Sequence, residues 1–566
     1  MGGDGAVIPR TTVKTIMRGT SGIKPQTTEE VEVDGTYTYN CEKGSSIFYG
    51  SYPQKKISDT QPITGKANVD WVEGKNKDGE TKGYYSIDPI EWRVLANDKT
   101  DGLFLLSDKN IDVFWFNPNW EPTGWIGSPI HDWLNGIRKY KKGENGEGNG
   151  TEYEKYHNFI DTAFTKEEKG MIPGTELEKD ENPVYNTERP GTPKIGEGSE
   201  GDQIFLLSIN EVINEKYGFK TKQDKGYELE GTNYRYEPTD NHKAINSQYI
   251  ADGCGKTGYK ATGSSDAGWW WLRSPGGLTD VSAVVNSDGA VSSIGASVSD
   301  DDVAVRPTFK LNPESVLFTS SAAGSKSSAE GGKIGLKNGD VTATSEIPEI
   351  EKIKEYTQTN NQHEKIPGKD WKLTMLDKGR EGFKATAVKD GNVLTISYDG
   401  ATVPTGDEPK NEYISVILAE KETGEFTHYL TAAQLDGDTY GESGTVKVRI
   451  PENVDMSTKT LFVINEQQNG DYKTDFSSGL NPVPVMDITG TQGKGGWYIG
   501  SVTLTAPQGW EISKEESGVF SSSIKYEEET NGVTYYLKEV SSTVVTEVND
   551  ATIKIDLTPR LSTVRL

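Results

Sequence analysis

Apolar and polar positions alternate in short runs along this chain, and the character of the runs changes about two thirds of the way down. Ile90–Asp98 (IEWRVLAND) alternates strictly enough to predict a half-buried strand. Gly102–Asp108 (GLFLLSD) follows a Lys-Thr-Asp-Gly turn and predicts the second arm of a hairpin. Ser128 stands as N-cap before Pro129, and Ile130, Trp133, Leu134 and Ile137 recur at helical spacing on one face. Thr165 with Glu168 and Ser208 with Glu211 have the spacing of capping boxes, the second opening a helix that should stop at Gly218. Asp202–Ile209 reads as a further buried strand. Polar stretches at Lys141–Glu154, Glu176–Gly201 and Lys220–His242 interrupt these elements and are expected as surface loops.

Beyond Asn312 the pattern thins. Phe318–Lys333 (FTSSAAGSKSSAEGGK) is rich in Ser, Ala and Gly and predicts a linker. From Asp370 the pattern is wholly strand-like: WKLTML, FKATAV, NVLTISYD, EYISVILA, THYLTA, GTVKVRIP and TLFVINEQ are separated by Gly, Asn or Asp turns. Such spacing predicts a β-sandwich of immunoglobulin type over residues 370–485. Residues 486–560 repeat the style and predict a second, smaller sandwich. The expected organisation is therefore a disordered or partial segment over 1–35, a mixed domain over 36–312, a linker over 313–369, the two sandwiches, and a tail over 561–566.

Length agrees with that count, since 566 residues exceed what one core can organise and imply about three to five domains. Only 33% of residues are hydrophobic and mean hydropathy is −0.65, yet 12 Trp, 26 Tyr and 15 Phe can fill several small cores. The net charge of −26 repels phosphate backbones and argues against nucleic acid. No apolar run is long enough for a membrane-spanning helix, so no membrane insertion is expected. Met1–Gly22 lacks the apolar core of a signal peptide, and the last residues carry no wall-sorting signal; a fragment of a secreted or cell-surface protein, monomeric, is the expectation. Cys41 and Cys254 fit neither a disulfide framework nor a metal site, and one disulfide or two buried thiols both stay open.

Trp270-Trp271-Leu272-Arg273-Ser274-Pro275-Gly276, then Gly289-Ala290-Val291 and Val305-Arg306-Pro307-Thr308-Phe309, resemble a domain of unassigned function found in clostridial and other Firmicute surface proteins. Tyr49–Gln54, Trp133–Asn135 and Ala163–Ile172 match the same family in order. The resemblance implies the fold of C-type lectins and formylglycine-generating enzymes, with Trp271, Arg273, Pro275, Arg306 and Pro307 as its closing frame. Relatives of this fold include variable target proteins of diversity-generating retroelements. Asn465–Ser478 and the final GWY-containing segment are similar to bacterial immunoglobulin-like modules. The fold class expected is thus multidomain: an α+β C-type-lectin-like domain followed by two all-β immunoglobulin-like sandwiches.

Within the closing segment an apolar framework alternates with small polar residues. Thr279, Asp280, Ser282, Asn286, Asp288, Ser292, Ser297, Ser299, Asp300 and Asp301 are the candidate ligand-binding set, because Ser, Asn and Asp make adaptable hydrogen-bonding surfaces. Lys, Glu, Gln, Trp and Met are missing from the run, as adenine-directed diversification would leave it. Tight β-turns select Ser, Asp, Asn and Gly without any diversification. Trp269, Trp270 and Trp271 invite sugar stacking, but alternate strand positions point to opposite faces. Arg273 and Arg306 are expected to tie strands together through carboxylates or carbonyls.

Signatures of catalysis and metal binding are absent. Glu121-Pro122-Thr123 and Glu237-Pro238-Thr239 fail the lectin calcium pattern at the third position, and Asp436–Glu442 starts like an EF-hand loop with Lys447 where its last carboxylate belongs. His131, His157, His242, His363 and His428 have no ligand spacing, and no nucleophile elbow or Gly-rich phosphate loop occurs. The pair of cysteines used by formylglycine-generating relatives is not reproduced. A non-catalytic binder of a protein or glycan, without metal or cofactor, is the expectation; a structural or spacer module of a larger wall-associated protein or hydrolase is the alternative.

Overall fold

The computed structural model describes residues 7–9, 43–62, 70–98, 101–119, 124–137, 158–177, 182, 201–219, 235–236, 240–264, 267–312, 315–324, 326, 347–353, 357–359, 362, 364–405, 411–438 and 440–558. The 1–35 segment apart from 7–9, the tail, Cys41, His157, His363, both near-calcium loops and most of the three polar insertions lie outside the described residues. The architecture is multidomain and predominantly β, with several sheets; among the described residues the α-helices, of at most six residues, lie in the first module, and short 3-10 turns occur in all three. No described helix is long and apolar enough to cross a membrane.

The first module is built on a sheet whose order is Thr308–Leu311, Gly102–Ser107, Thr81–Asp98 and Ser46–Ser58. The hairpin read from the turn at residue 100 is present, Asp98 pairing with Gly102 and Trp92 with Ser107. Against it lies a second sheet, ordered Asp112–Val113, Ala304–Val305, Trp270–Pro275, Val281–Val285, Val291–Ser297 and Arg235–Tyr236. Between them Trp92, Trp133, Trp270 and Trp271 are fully buried beside Phe104, Phe114 and Phe159. The helices sit where their caps place them: Ser128 Oγ accepts from His131 N at the start of Pro129–Leu134, and both capping boxes close reciprocally.

Three local expectations differ from the structure. The run Asp202–Ile209 is largely buried but forms no continuous strand; its backbone pairs at separate points, Asp202 with Thr175, Phe205 with Thr308 and Leu207 O with Arg273 N. The helix expected to stop at Gly218 is broken into Ile209–Val212 and a 3-10 turn Glu215–Tyr217, with Gly218 left-handed at its end. Ile137 lies beyond the helix end and is exposed.

The largest departure concerns the linker. Val316–Ser321 is a fully buried strand paired with Asp370–Leu376, Thr319 opposite Leu373. Asp370–Leu376 in turn runs parallel to Ser46–Ser58, Trp371 opposite Ile47. One sheet therefore continues from the first module through Asp475–Ser477, Lys459–Gln467, Glu412–Glu420 and Phe426–Leu435 of the second. Trp371, Leu373, Met375 and Phe476 enter the apolar core of the first module. The same device joins the second module to the third, where Lys384–Asp390 runs parallel to Val485–Thr489. These two β-sandwich-like modules have their own cores, around Leu394, Ile414 and Val448 and around Val502, Tyr535 and Ile553.

Candidate functional site

The ten candidate ligand-binding residues lie on and beside the hairpin Val281–Val285/Val291–Ser297, and its register separates them. Val285 faces Val291 at one end and Val281 faces Ser297 at the other. Asn286 and Asp288 occupy the tip, where Asp288 Oδ1 accepts from Ala290 N at 2.9 Å and the Asn286 and Ala290 backbones close the turn. Thr279, Asp280, Ser297, Ser299, Asp300 and Asp301 gather at the base. Ser282 and Ser292 sit between, both buried. Ser282 Oγ lies 3.1 Å from the carbonyls of Leu272 and Ser274 and ties its strand to the neighbouring one. The set is therefore a tip, a base and a structural middle rather than one face.

At the base, Val298 N donates to Asp280 O at 2.9 Å and Ser297 Oγ meets Ser299 Oγ at 3.0 Å. Asp300 and Asp301 have their carboxyl pKa values raised by partial burial and by the charge of Asp302. Tyr259 hydrogen-bonds Asp301, and the ring of Tyr259 carries Lys77 Nζ 5.5 Å above its centre.

The segment 254–262 connects this base to a recess that sequence reasoning missed. Thr257 Oγ1 donates to Asp301 O at 2.7 Å and Thr262 N to Asp302 O at 2.7 Å. Lys256 N donates to Asp112 Oδ1 at 2.5 Å on the other side. The recess encloses about 60 Å³ and is lined by Tyr52, Glu73, Lys75, Asp112, Trp133, Asn158, Tyr249 and Lys256, with Cys254 at its wall. Complete burial raises the pKa of Asp112, although Tyr52 OH, Val113 N and Lys256 N all donate to it. Gly255 permits this approach, since a Cβ there would stand 2.7 Å from Asp112 Oδ1. Glu73, Lys75 and Lys256 belong to no motif of the sequence, and their convergence at the recess marks them.

Around the site the frame residues are occupied with the fold. Trp270 and Trp271 are fully buried, donating to His242 O and Phe114 O, so Trp269 alone is partly accessible for stacking. Arg273 binds Glu211 and Leu206 O. Arg306, wholly buried, donates to the carbonyls of Ser107, Asp108 and His242 and stacks on Trp270 at 5.0 Å. Pro275 and Pro307 are buried beside them. Pro275 O accepts from Asn182 Nδ2 at 2.8 Å, and Pro307 O from Ser107 N.

His131 bridges Asp132 and Asp202 at 3.0 and 2.9 Å, His242 lies between the carbonyls of Gly289 and Val212, and His428 contacts Thr427. Among the described residues no group of three His, Cys, Asp or Glu has metal-binding geometry. Cys254 is buried, its thiol directed to Tyr85 OH.

Residues 100–313 match the model of a family described as a domain of unknown function, DUF6273. No curated protein matches the chain. The matched span holds the hairpin, the 254–262 segment and Asp112, whereas Tyr52, Glu73 and Lys75 come from strands that precede it.

Proposed function

We propose that this chain is a non-catalytic cell-surface binding protein whose first module, of C-type-lectin-like fold, recognises a protein or glycan. The recognition surface runs from the Tyr52–Lys256 recess across Tyr259 and Lys77 to the Asp280–Asp301 base of the hairpin. The observation that carries this reading is the continuity of that surface through the 254–262 segment, hydrogen-bonded to Asp112 at one end and Asp301 at the other. Aromatic walls beside paired charges suit a polar ligand with apolar faces, such as a sugar ring or a peptide side chain. The two following modules act as immunoglobulin-like spacers, and secretion or surface display is part of the same proposal.

Retroelement diversification receives less support, because a diversified set needs exposed positions and Ser282 and Ser292 are buried in the strand framework. Turn chemistry accounts for the tip residues Asn286 and Asp288.

A glycan-array and protein-binding screen with the whole chain tests the proposal. Three variants accompany it: Asp280→Ala/Asp300→Ala/Asp301→Ala at the base, Lys75→Ala/Tyr259→Ala in the recess and on the stretch between recess and base, and Asn286→Ala/Asp288→Ala at the tip. The first two should lose a ligand that the third keeps. Equal binding by all three would overturn the assignment.

One observation favours the alternative of a structural or spacer module: the sheet shared by the first and second modules. If no ligand is found while the first module serves to rigidify its neighbours, that reading stands.

A further inference from the structure

Lys326 is among the most buried charges of the described chain, and the company it keeps is reactive. Its side chain is 1% exposed, with Nζ 2.6 Å from Glu466 Oε2 and 2.9 Å from Asp475 Oδ2. Glu466 and Asp475 side chains are 0% exposed, and Lys372, 4% exposed, approaches the same Asp475 Oδ2 at 2.9 Å. Nζ of Lys326 also stands 5.1 Å above the centre of the Phe318 ring, beside the apolar cluster of Phe318, Phe426, Tyr429 and Ile464. Four ionised groups in so dry a place carry a heavy desolvation penalty.

The two carboxylates differ in how they are held. Glu466 Oε1 accepts from Ser415 Oγ at 2.5 Å, from Tyr429 OH and from Gln468 Nε2 at 2.9 Å, which fixes it as an acceptor. Asp475 Oδ1 accepts Asn469 N–H at 2.7 Å, whereas Oδ2 accepts no well-directed hydrogen bond despite its two cationic neighbours. Lys372 is further engaged with Gly470 O at 3.0 Å. Of the two lysines, Lys326 is the one that touches both Glu466 and the carboxyl group of Asp475, whose opposite oxygen faces a backbone N–H.

We infer that Lys326 and Asp475 condense spontaneously into an intramolecular amide bond, with Glu466 carrying the proton. The Lys326 ammonium gives one proton to Glu466 Oε2 and becomes a nucleophilic amine. That proton passes on to Asp475 Oδ2. The amine nitrogen attacks Asp475 Cγ, and the charge that develops on Oδ1 is met by Asn469 N–H. Nitrogen then loses a second proton to Oδ2, the Cγ–Oδ2 bond breaks, and Oδ2 leaves as water. One ammonium and one carboxylate become one amide and one water, so atoms and charge balance and no oxidant or cofactor is required. Fixed contact supplies the proximity that free amine and acid lack, and losing two buried charges favours the product. Lys372 and Glu466 remain as a compensating pair. The bond would link the segment that leaves the first module to the strand Asp475–Ser477 of the second, clamping the two where their shared sheet runs.

Intact-mass spectrometry of the purified full chain tests this. The wild-type chain should weigh about 18 Da less than its sequence, the mass of one water. Proteolysis should then yield a branched peptide joining Lys326 to Asp475. Lys326→Ala, Asp475→Ala and the near-isosteric Glu466→Gln should each restore the sequence mass. A wild-type mass equal to the sequence overturns the inference, whether or not the alanine variants fold. So does a branched peptide that contains Lys372 or Glu466 as the bonded residue, or a Glu466→Gln chain that still loses the water.

Discussion

Arg273 grips Glu211 through both terminal guanidinium nitrogens, at 2.5 and 3.1 Å, and so fastens the strand Trp270–Pro275 to the capped start of the helix Ile209–Val212. Glu211 Oε2 also accepts Ser208 N at 2.7 Å, which makes one carboxylate serve as both ion-pair partner and cap. The two partners are not equally replaceable. Arg273 is 3% exposed and Glu211 20% exposed. Removing Glu211 strands a buried cation and opens the cap, so Glu211→Ala should cost about 3–5 kcal/mol. Arg273→Met leaves a carboxylate that water can reach and should cost about 1–3 kcal/mol. Urea unfolding of both variants checks the order; an equal or reversed cost would refute it.

Gly295 shapes the hairpin that bears the candidate base. Its φ is +88°, and a Cβ would stand 2.1 Å from Ser282 O, opposite the point where the strand register shifts between Ser282 and Val284. Gly295→Ala combines left-handed strain with a backbone clash and should destabilise by about 2–4 kcal/mol. Gly170, which has open space around its Cβ position, is the matched control: Gly170→Ala lies inside the helix Lys166–Met171 and should be neutral or stabilising by up to about 1 kcal/mol. Thermal melts of the two variants read the contrast directly.

These features also mark how far the sequence could be read. Both capping boxes and the hairpin at residue 100 depend on residues a few positions apart, and the sequence displays them. The parallel pairing of Ser46–Ser58 with Asp370–Leu376 joins strands more than three hundred positions apart, and nothing local announces it. Val316–Ser321 was hidden for a related reason. Its Thr-Ser-Ser composition looks like linker, but those side chains are buried because strands flank it on a continuous sheet. The polar set at the hairpin was visible as a set; its division into tip, base and buried middle follows from register alone. Glu73, Lys75 and Lys256 carry no motif, since a recess is made by convergence and not by spacing.

The shared sheet predicts that the first module is not thermodynamically separate. Leu373 is fully buried in the first module's core although it belongs to a strand of the second. Leu373→Ala should cost about 2–5 kcal/mol. Calorimetry should show the first and second modules shifting together in one transition. If only the second module's transition moves, the junction is a contact and not a common core. A chain ending at residue 324 should unfold at lower urea than the same residues in the full chain, because it loses Trp371, Leu373, Met375 and Phe476 from its interior.

His131 makes stability depend on pH in a direction that can be worked out. Burial opposes its protonation, but hydrogen bonds to Asp132 and Asp202 on its two ring nitrogens outweigh that, and the pKa is pushed up to about 9 from an ordinary 6.5. A group whose pKa is higher folded than unfolded holds its proton more tightly in the folded state. Its contribution is therefore complete below about pH 6.5 and is lost as the pH rises through about 9, a loss on the order of 3 kcal/mol. Trp125 donates to the second oxygen of Asp202 at 2.6 Å, so the network is tied into the aromatic core and its loosening should be visible in tryptophan fluorescence. Urea midpoints measured from pH 6 to pH 9.5 should fall across that window in the wild-type chain. In His131→Gln the overall stability should be lower at pH 6 and the decline from this site absent. A variant that keeps the full wild-type decline would show that the pH dependence arises elsewhere and that His131 is neutral in the folded protein.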